Sequence, residues 1–177
     1  MRAAFVLGLA MALTAPALAQ QGEMPAKPAA SCAAMDASLP APLADWNGKA
    51  AISTAPSAEH LMHVPLSLGK GYEANLLNTA KVAMPVQPEK PGGSVAFAGL
   101  FSFTVPEAGN YSVALGTAAW IDVLEDGKAV TPISFGHGPE CTSIRKIVVF
   151  PLKAGIHTLQ VSANADAKLK LMVAKKP

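Results

Sequence analysis

Four histidines, two cysteines and one tryptophan–carboxylate pair are the residues of this chain whose types and spacing can do chemistry. His60 and His63 lie three apart with Glu59 beside them. On a helix they would share a face. Two imidazoles and a carboxylate are the donor set of a non-haem iron site, provided a rigid frame leaves coordination positions open. His137 is a further histidine available to such a set. On a strand, His60 and His63 would point to opposite faces, and the weak alternation of residues 60–68, with Pro65 inside it, reads as the entry to an edge strand. His137 sits in Gly136-His137-Gly138-Pro139-Glu140-Cys141. Glycines let the backbone approach a ligand closely, and a disulfide at Cys141 would hold the loop still, which makes His137 and Glu140 candidate binding residues. The alternative is an ordinary turn, with His137 solvated or packed on Trp120. Trp120 and Asp122 share one face of a strand. A tryptophan beside a carboxylate suits a sugar, the ring stacking and the oxygens accepting from hydroxyls. The alternative is that Trp120 belongs to the core. His157, in the middle of an alternating run, reads as structural. No Gly-x-Ser-x-Gly elbow is present, nor any phosphate loop or dinucleotide fingerprint. No residue is therefore assigned a catalytic role, and no resident cofactor is expected unless the histidines hold iron.

These residues need a frame, and composition limits what it can be. Arg2, the apolar run Ala3–Leu13 and then Ala17-Leu18-Ala19 have the order of a secretory signal peptide. The apolar run is well short of the ~20 residues a membrane helix needs. Cleavage after Ala19 leaves enough chain for one domain with a real core. With 14 basic and 12 acidic residues interspersed, nothing marks a nucleic-acid face. No later run approaches membrane length, so no membrane insertion is expected after cleavage, and the expected location is the periplasm or the medium. In that compartment Cys32 and Cys141 read as one disulfide.

Residues 20–58 are rich in Pro and Ala and read as an arm tied down by Cys32, with Trp46 as its anchor at one end of the domain. Residues 59–177 read as the domain itself. Tyr72–Leu77 and Lys81–Pro88 are candidate strands, the second an edge strand because of Pro85 and Pro88. Phe97, Gly99, Phe101, Phe103 and Val105 give the best period-two run in the chain. Further strands are expected at Asn110–Gly116, Ala119–Glu125, Lys128–Phe135, Ile144–Leu152, Ile156–Ala163 and Lys168–Val173. Asp126-Gly127 is the clearest tight hairpin, since both positions tolerate positive φ. Turns recur at intervals of about ten residues, the spacing of an antiparallel sandwich. The expected fold is all-β: an antiparallel two-layer sandwich, jelly-roll-like, of about eight or nine strands.

Phe-x-Val, Ala-Gly-x-Tyr-x-Val, Asp-x-x-x-Asp-Gly and Leu-x-Ala-Gly-x-His-x-Leu-x-Val together resemble the jelly-roll domains of the pre-peptidase C-terminal type, over about half of the chain. Ala119-Trp120-Ile121-Asp122-Val123, the Gly136–Cys141 segment and Ile144-Arg145-Lys146 resemble a group of small exported alphaproteobacterial proteins filed under the name homogentisate 1,2-dioxygenase. That name implies an iron-dependent oxygenase. The dioxygenase proper is longer and cytosolic and holds ferrous iron with two His and one Glu, and no stretch here matches that ligand motif. The expectation carried forward is an exported, non-catalytic binding module for a glycan, an envelope component or a protein, through Trp120, Asp122, His137 and Glu140. An oxygenase using His60, His63 and His137 and a purely structural protein are the alternatives.

Overall fold

The computed structural model describes residues 32–176. The segments expected to be a signal peptide and a leader, up to residue 31, lie outside the described residues. Twelve strands form among those described: β1 (Ala50–Ser53), β2 (Pro65–Leu66), β3 (Tyr72–Asn75), β4 (Leu77–Asn78), β5 (Phe97–Val105), β6 (Gly109–Leu115), β7 (Trp120–Glu125), β8 (Lys128–Ala129), β9 (Ser134–Gly136), β10 (Lys146–Leu152), β11 (Gly155–Asn164) and β12 (Lys168–Lys175). They make two layers. One sheet runs β1-β3-β12-β6-β10-β9, and the other β2-β5-β11-β7-β8, with β4 added on β5. The protein is an all-β sandwich, as its alternation implies. The long interior pairings are antiparallel. Parallel pairing is confined to the edges, β1 on β3 and β2 on β5.

Period two explains the layers. Phe101, Phe103 and Val105 of β5, Leu159 and Val161 of β11, Tyr111, Val113 and Leu115 of β6, Val148 and Phe150 of β10, and Leu169, Leu171 and Val173 of β12 enter one apolar core. Each such side chain contributes about 1.5–3 kcal/mol of burial. His157 joins them, stacked on Phe103 at 5.4 Å. Its Nε2–H donates to the carbonyl of Lys153 at 2.9 Å, which confirms a structural part. Asp126 and Gly127 both take positive φ, 50° and 74°, and join β7 to β8 in a two-residue hairpin.

Five local expectations are corrected. Residues 81–88 form no strand. Pro85 and Pro88 remove ladder donors, and the segment instead crosses the second sheet, held where Gln160 Nε2 donates to the carbonyl of Val86 and Ser162 Oγ to that of Lys90. Lys128–Phe135 is not one strand. Its first two residues pair with β7 and its last two begin β9 on β10, so the chain changes sheets across Thr131-Pro132. His60 and His63 lie on a 3-10 helix, Ala58–His63, rather than a strand, and β2 begins only at Pro65. Trp46 does not plug an end of the sandwich. It sits on the 3-10 helix Ala41–Asn47 and packs with Leu43 on Ala114, Met172 and Ala174, the outward side of the first sheet. The sheet also starts earlier than the patterning suggested, at β1.

Gly99 shows how closely β5 is covered. A Cβ there would lie 2.5 Å from Thr54 Oγ1 and 2.8 Å from a methyl of Leu76. Thr54 Oγ1 cannot move freely, because it accepts from the N–H of Leu100 at 2.6 Å. Gly99→Ala is expected to lower stability by about 1–3 kcal/mol through overpacking. Gly93→Ala, where a Cβ meets nothing within 4 Å, should leave the urea midpoint unchanged. Equal midpoints for the two variants would refute the account.

Candidate functional site

Strand β7 turns Ile121 and Val123 into the core, which leaves Trp120 and Asp122 together on the outward face, as alternation requires. The indole Nε1–H donates to Asp122 Oδ1 at 3.0 Å, and Gln160 Nε2 donates to the other carboxylate oxygen at 3.0 Å. Gln160 is itself fully buried under residues 86–90. Burial pushes the Asp122 carboxyl above its ordinary range, with the donors from Trp120 and Gln160 opposing and the nearby Glu89 adding to the rise. Both oxygens are thus engaged within the protein. The pair is a structural tie rather than a set of free acceptors for sugar hydroxyls. Trp120 is half-buried, a member of the rim and not of the core cluster. Two ammonium groups lie near its ring centroid, Lys90 Nζ at 5.4 Å and Lys146 Nζ at 5.5 Å.

The residue that organises this end of the molecule is Phe135. It stands opposite Val148 in the β9–β10 register, so it shares the inward side of the first sheet with a core residue. Yet it is 82% exposed. The reason is that the second sheet ends at β8, which is two residues long, so no strand among the described residues covers β9. Beneath Phe135 a slot of about 300 Å³ opens between the two layers, lined by Trp120, Ile121, Pro132, Lys146 and Val148. On the opposite side of β9 a shallower depression of about 400 Å³ runs over Pro40, Leu43, His137, Ile147 and Val149. Phe135 thus borders two apolar hollows.

His137 lies beside β9, exposed, with Nδ1–H donating to the carbonyl of Arg145 at 3.1 Å. Its glycines do not approach a ligand in the way their sequence suggested. A Cβ on Gly138 would lie 2.5 Å from both Cβ and the carbonyl oxygen of Ile144, whereas Gly136 meets nothing within 4 Å. The close approach that Gly138 permits is to the protein's own strand. The loop is held by Thr142 Oγ1 donating to the carbonyl of Pro139 and by the Cys32–Cys141 disulfide. Glu140 is exposed beside that disulfide and lines a separate hollow with Ala33, Ala37 and Ser38. The four candidate binding residues therefore do not converge on one point. Trp120 and His137 flank Phe135, Asp122 ties the indole down, and Glu140 faces the arm from its own loop.

The oxygenase set is not assembled either. His60 pairs with Ser57 Oγ at 3.0 Å, on a 3-10 helix packed by β5. That is the β2 edge of the second sheet, whereas His137 follows β9, the last strand of the first sheet. Among the described residues no three His, Cys, Asp or Glu side chains come close enough to hold a metal. The donors do not fit the iron that the dioxygenase name implies, and no step is derived through it.

Phe135, Lys146, Lys90 and Pro132 escaped the sequence reading. The only signal was Phe135 itself, a large apolar residue at the end of a run broken by Pro132. No protein-family model matches the chain, and no curated protein matches it.

Proposed function

We propose that this protein is an exported, non-catalytic binding module whose contact surface is the uncovered end of the sandwich around Phe135. The observation that carries the reading is an inward-facing phenylalanine, 82% exposed, over an apolar slot. Large apolar side chains left uncovered in a group are a mark of interaction sites. The frame behind it is stiff: β10 is paired on both sides, and a disulfide pins the adjoining loop. Rigid elements carrying an open apolar contact suit binding. The disulfide accords with an oxidising compartment, and no helix among the described residues is long and apolar enough to cross a membrane. The partner under this reading is an envelope component or an exported protein, with a glycan disfavoured by the internal engagement of Asp122.

The test is a photoreactive amino acid placed at position 135 in cells exporting the protein, with adducts read by intact mass. Position 62 is the control, because Met62 is also 75% exposed but sits by the β2 edge of the second sheet. A discrete adduct at 135 and none at 62 is expected. Equal labelling at both positions, or none at 135 in a correctly oxidised protein, would overturn the reading in favour of a purely structural protein.

A further inference from the structure

The slot beneath Phe135 has a chemical polarity of its own, and assigning it a ligand rests on its being the binding site proposed for this protein. Its walls are apolar: Ile121 and Val148 are core residues, and Pro132 and Phe135 close the outer side. Its mouth is cationic. Lys146 stands at the start of β10 on the same side of the strand as Val148 and Phe150, hence turned toward the interior. Its Nζ reaches over the Trp120 ring and donates to the carbonyl of Ala119 at 2.8 Å. Lys90 brings a second ammonium to the same ring from the segment that crosses the outer face. Arg145, exposed, adjoins Phe135 and Lys146 at a neighbouring hollow. No carboxylate forms an ion pair with Lys90 or Lys146 among the described residues. Asp122, on the outward face of β7, accepts from Trp120 and Gln160 and pairs with neither lysine.

A half-buried ammonium with spare donors, a like charge close by and no counter-ion is costly to keep charged. Burial, and then the charge of Lys90, hold Lys146 below the ordinary lysine range. An anion on Lys146, within the field of Lys90, would relieve both effects, and its apolar body would fill the slot and cover Phe135. We infer that the slot binds an alkyl monocarboxylate of the fatty-acid type, its carboxylate on Lys146 within the field of Lys90 and its chain between Phe135, Ile121 and Val148. Charge complementarity selects the head group, and the narrow apolar walls select a chain over a polar ring. A monoanion matches the single half-buried ammonium, since Lys90 is exposed. A volume of about 300 Å³ is at the small end for ligand pockets, which suits a medium-length chain.

The experiment is calorimetric titration of the disulfide-bonded protein with octanoate, octanol, octyltrimethylammonium and octyl phosphate. Octanoate should bind about tenfold or more tightly than octanol, the difference supplied by a charge-assisted hydrogen bond. The cationic amphiphile should be the weakest. Lys146→Met, which keeps the apolar stem, should bring octanoate down to the level of octanol and leave octanol unchanged. Lys90→Gln, at an exposed position, should weaken octanoate by a smaller factor. Phe135→Ala should weaken octanoate and octanol together. Octanol or the cation binding as well as octanoate would overturn the carboxylate assignment while leaving a binding site at Phe135. Octyl phosphate binding tenfold better than octanoate would overturn it in favour of a phosphate head group. Absence of all binding would overturn the inference, and cross-linking at position 135 would still decide the broader reading by itself.

Discussion

Replacing Cys32 and Cys141 together with serine is expected to lower the free energy of unfolding by about 4–5 kcal/mol. The bond joins residues 109 apart in the chain. Removing it frees a long loop in the unfolded ensemble, and a loop of this length gives about that figure in chain-entropy terms. The native state adds local consequences. Beside the bond, the Asp36 N–H donates to the carbonyl of Cys141 at 2.8 Å, and Asp36 accepts from both the N–H and the Oγ of Ser143 at 2.6 Å. The measurement is the urea midpoint of the oxidised protein against the double variant, compared at equal slope. A loss under about 1 kcal/mol would mean that these backbone and side-chain contacts hold the arm without the bond. The bond should also be felt at the binding end, because the loop it anchors runs from His137 to Arg145.

Trp46→Ala is expected to cost about 3–5 kcal/mol, the range for a large aromatic deleted from a closed site. Trp46 is fully buried against Ala114, Met172 and Ala174, small or flexible side chains that offer little to refill the space. Its Nε1–H donates to Ser143 Oγ at 2.8 Å, and Lys170 Nζ stands 4.7 Å from the ring centroid. Trp46→Phe keeps most of the contact and should cost clearly less. Since Ser143 links Trp46 to Asp36 and the disulfide, the triple variant lacking Trp46 and both cysteines should lose less than the sum of the separate losses. Strict additivity would show that the arm is not one unit.

The same network predicts an acid limb. Burial alone would raise Asp36. The hydrogen bonds from the side chain and N–H of Ser143, with the charge of Lys170, outweigh it and hold the carboxyl below its ordinary range. A carboxylate with a depressed folded pKa contributes stability that is complete above its unfolded pKa and fades as pH falls through the folded one. Asp36→Asn should therefore destabilise the protein at neutral pH and flatten the loss of stability below about pH 4. An unchanged acid profile would remove Asp36 from the account.

How much of this was legible in the sequence depends on how local each feature is. The period-two runs of β5, β6, β10, β11 and β12 were readable because each strand's alternation is a property of neighbouring residues and each turns one alternate set into the shared core. The Asp126-Gly127 hairpin was readable because positive φ is a property of two residues. The cysteine pairing needed only the count and the expectation of export. Whether residues 128–135 stayed in one sheet was not readable, since the change of sheet at Thr131-Pro132 depends on which strands have free edges. The histidines share a residue type but are placed by strand order, and that order sends His60 and His137 to edges of different sheets. The slot is the least local feature of all. Alternation alone puts Phe135 on the inward side of its strand. Its exposure is decided by the opposite sheet, which stops at a two-residue β8. An inward side chain becomes core or contact surface according to what the other layer places over it, and only the tertiary structure supplies that.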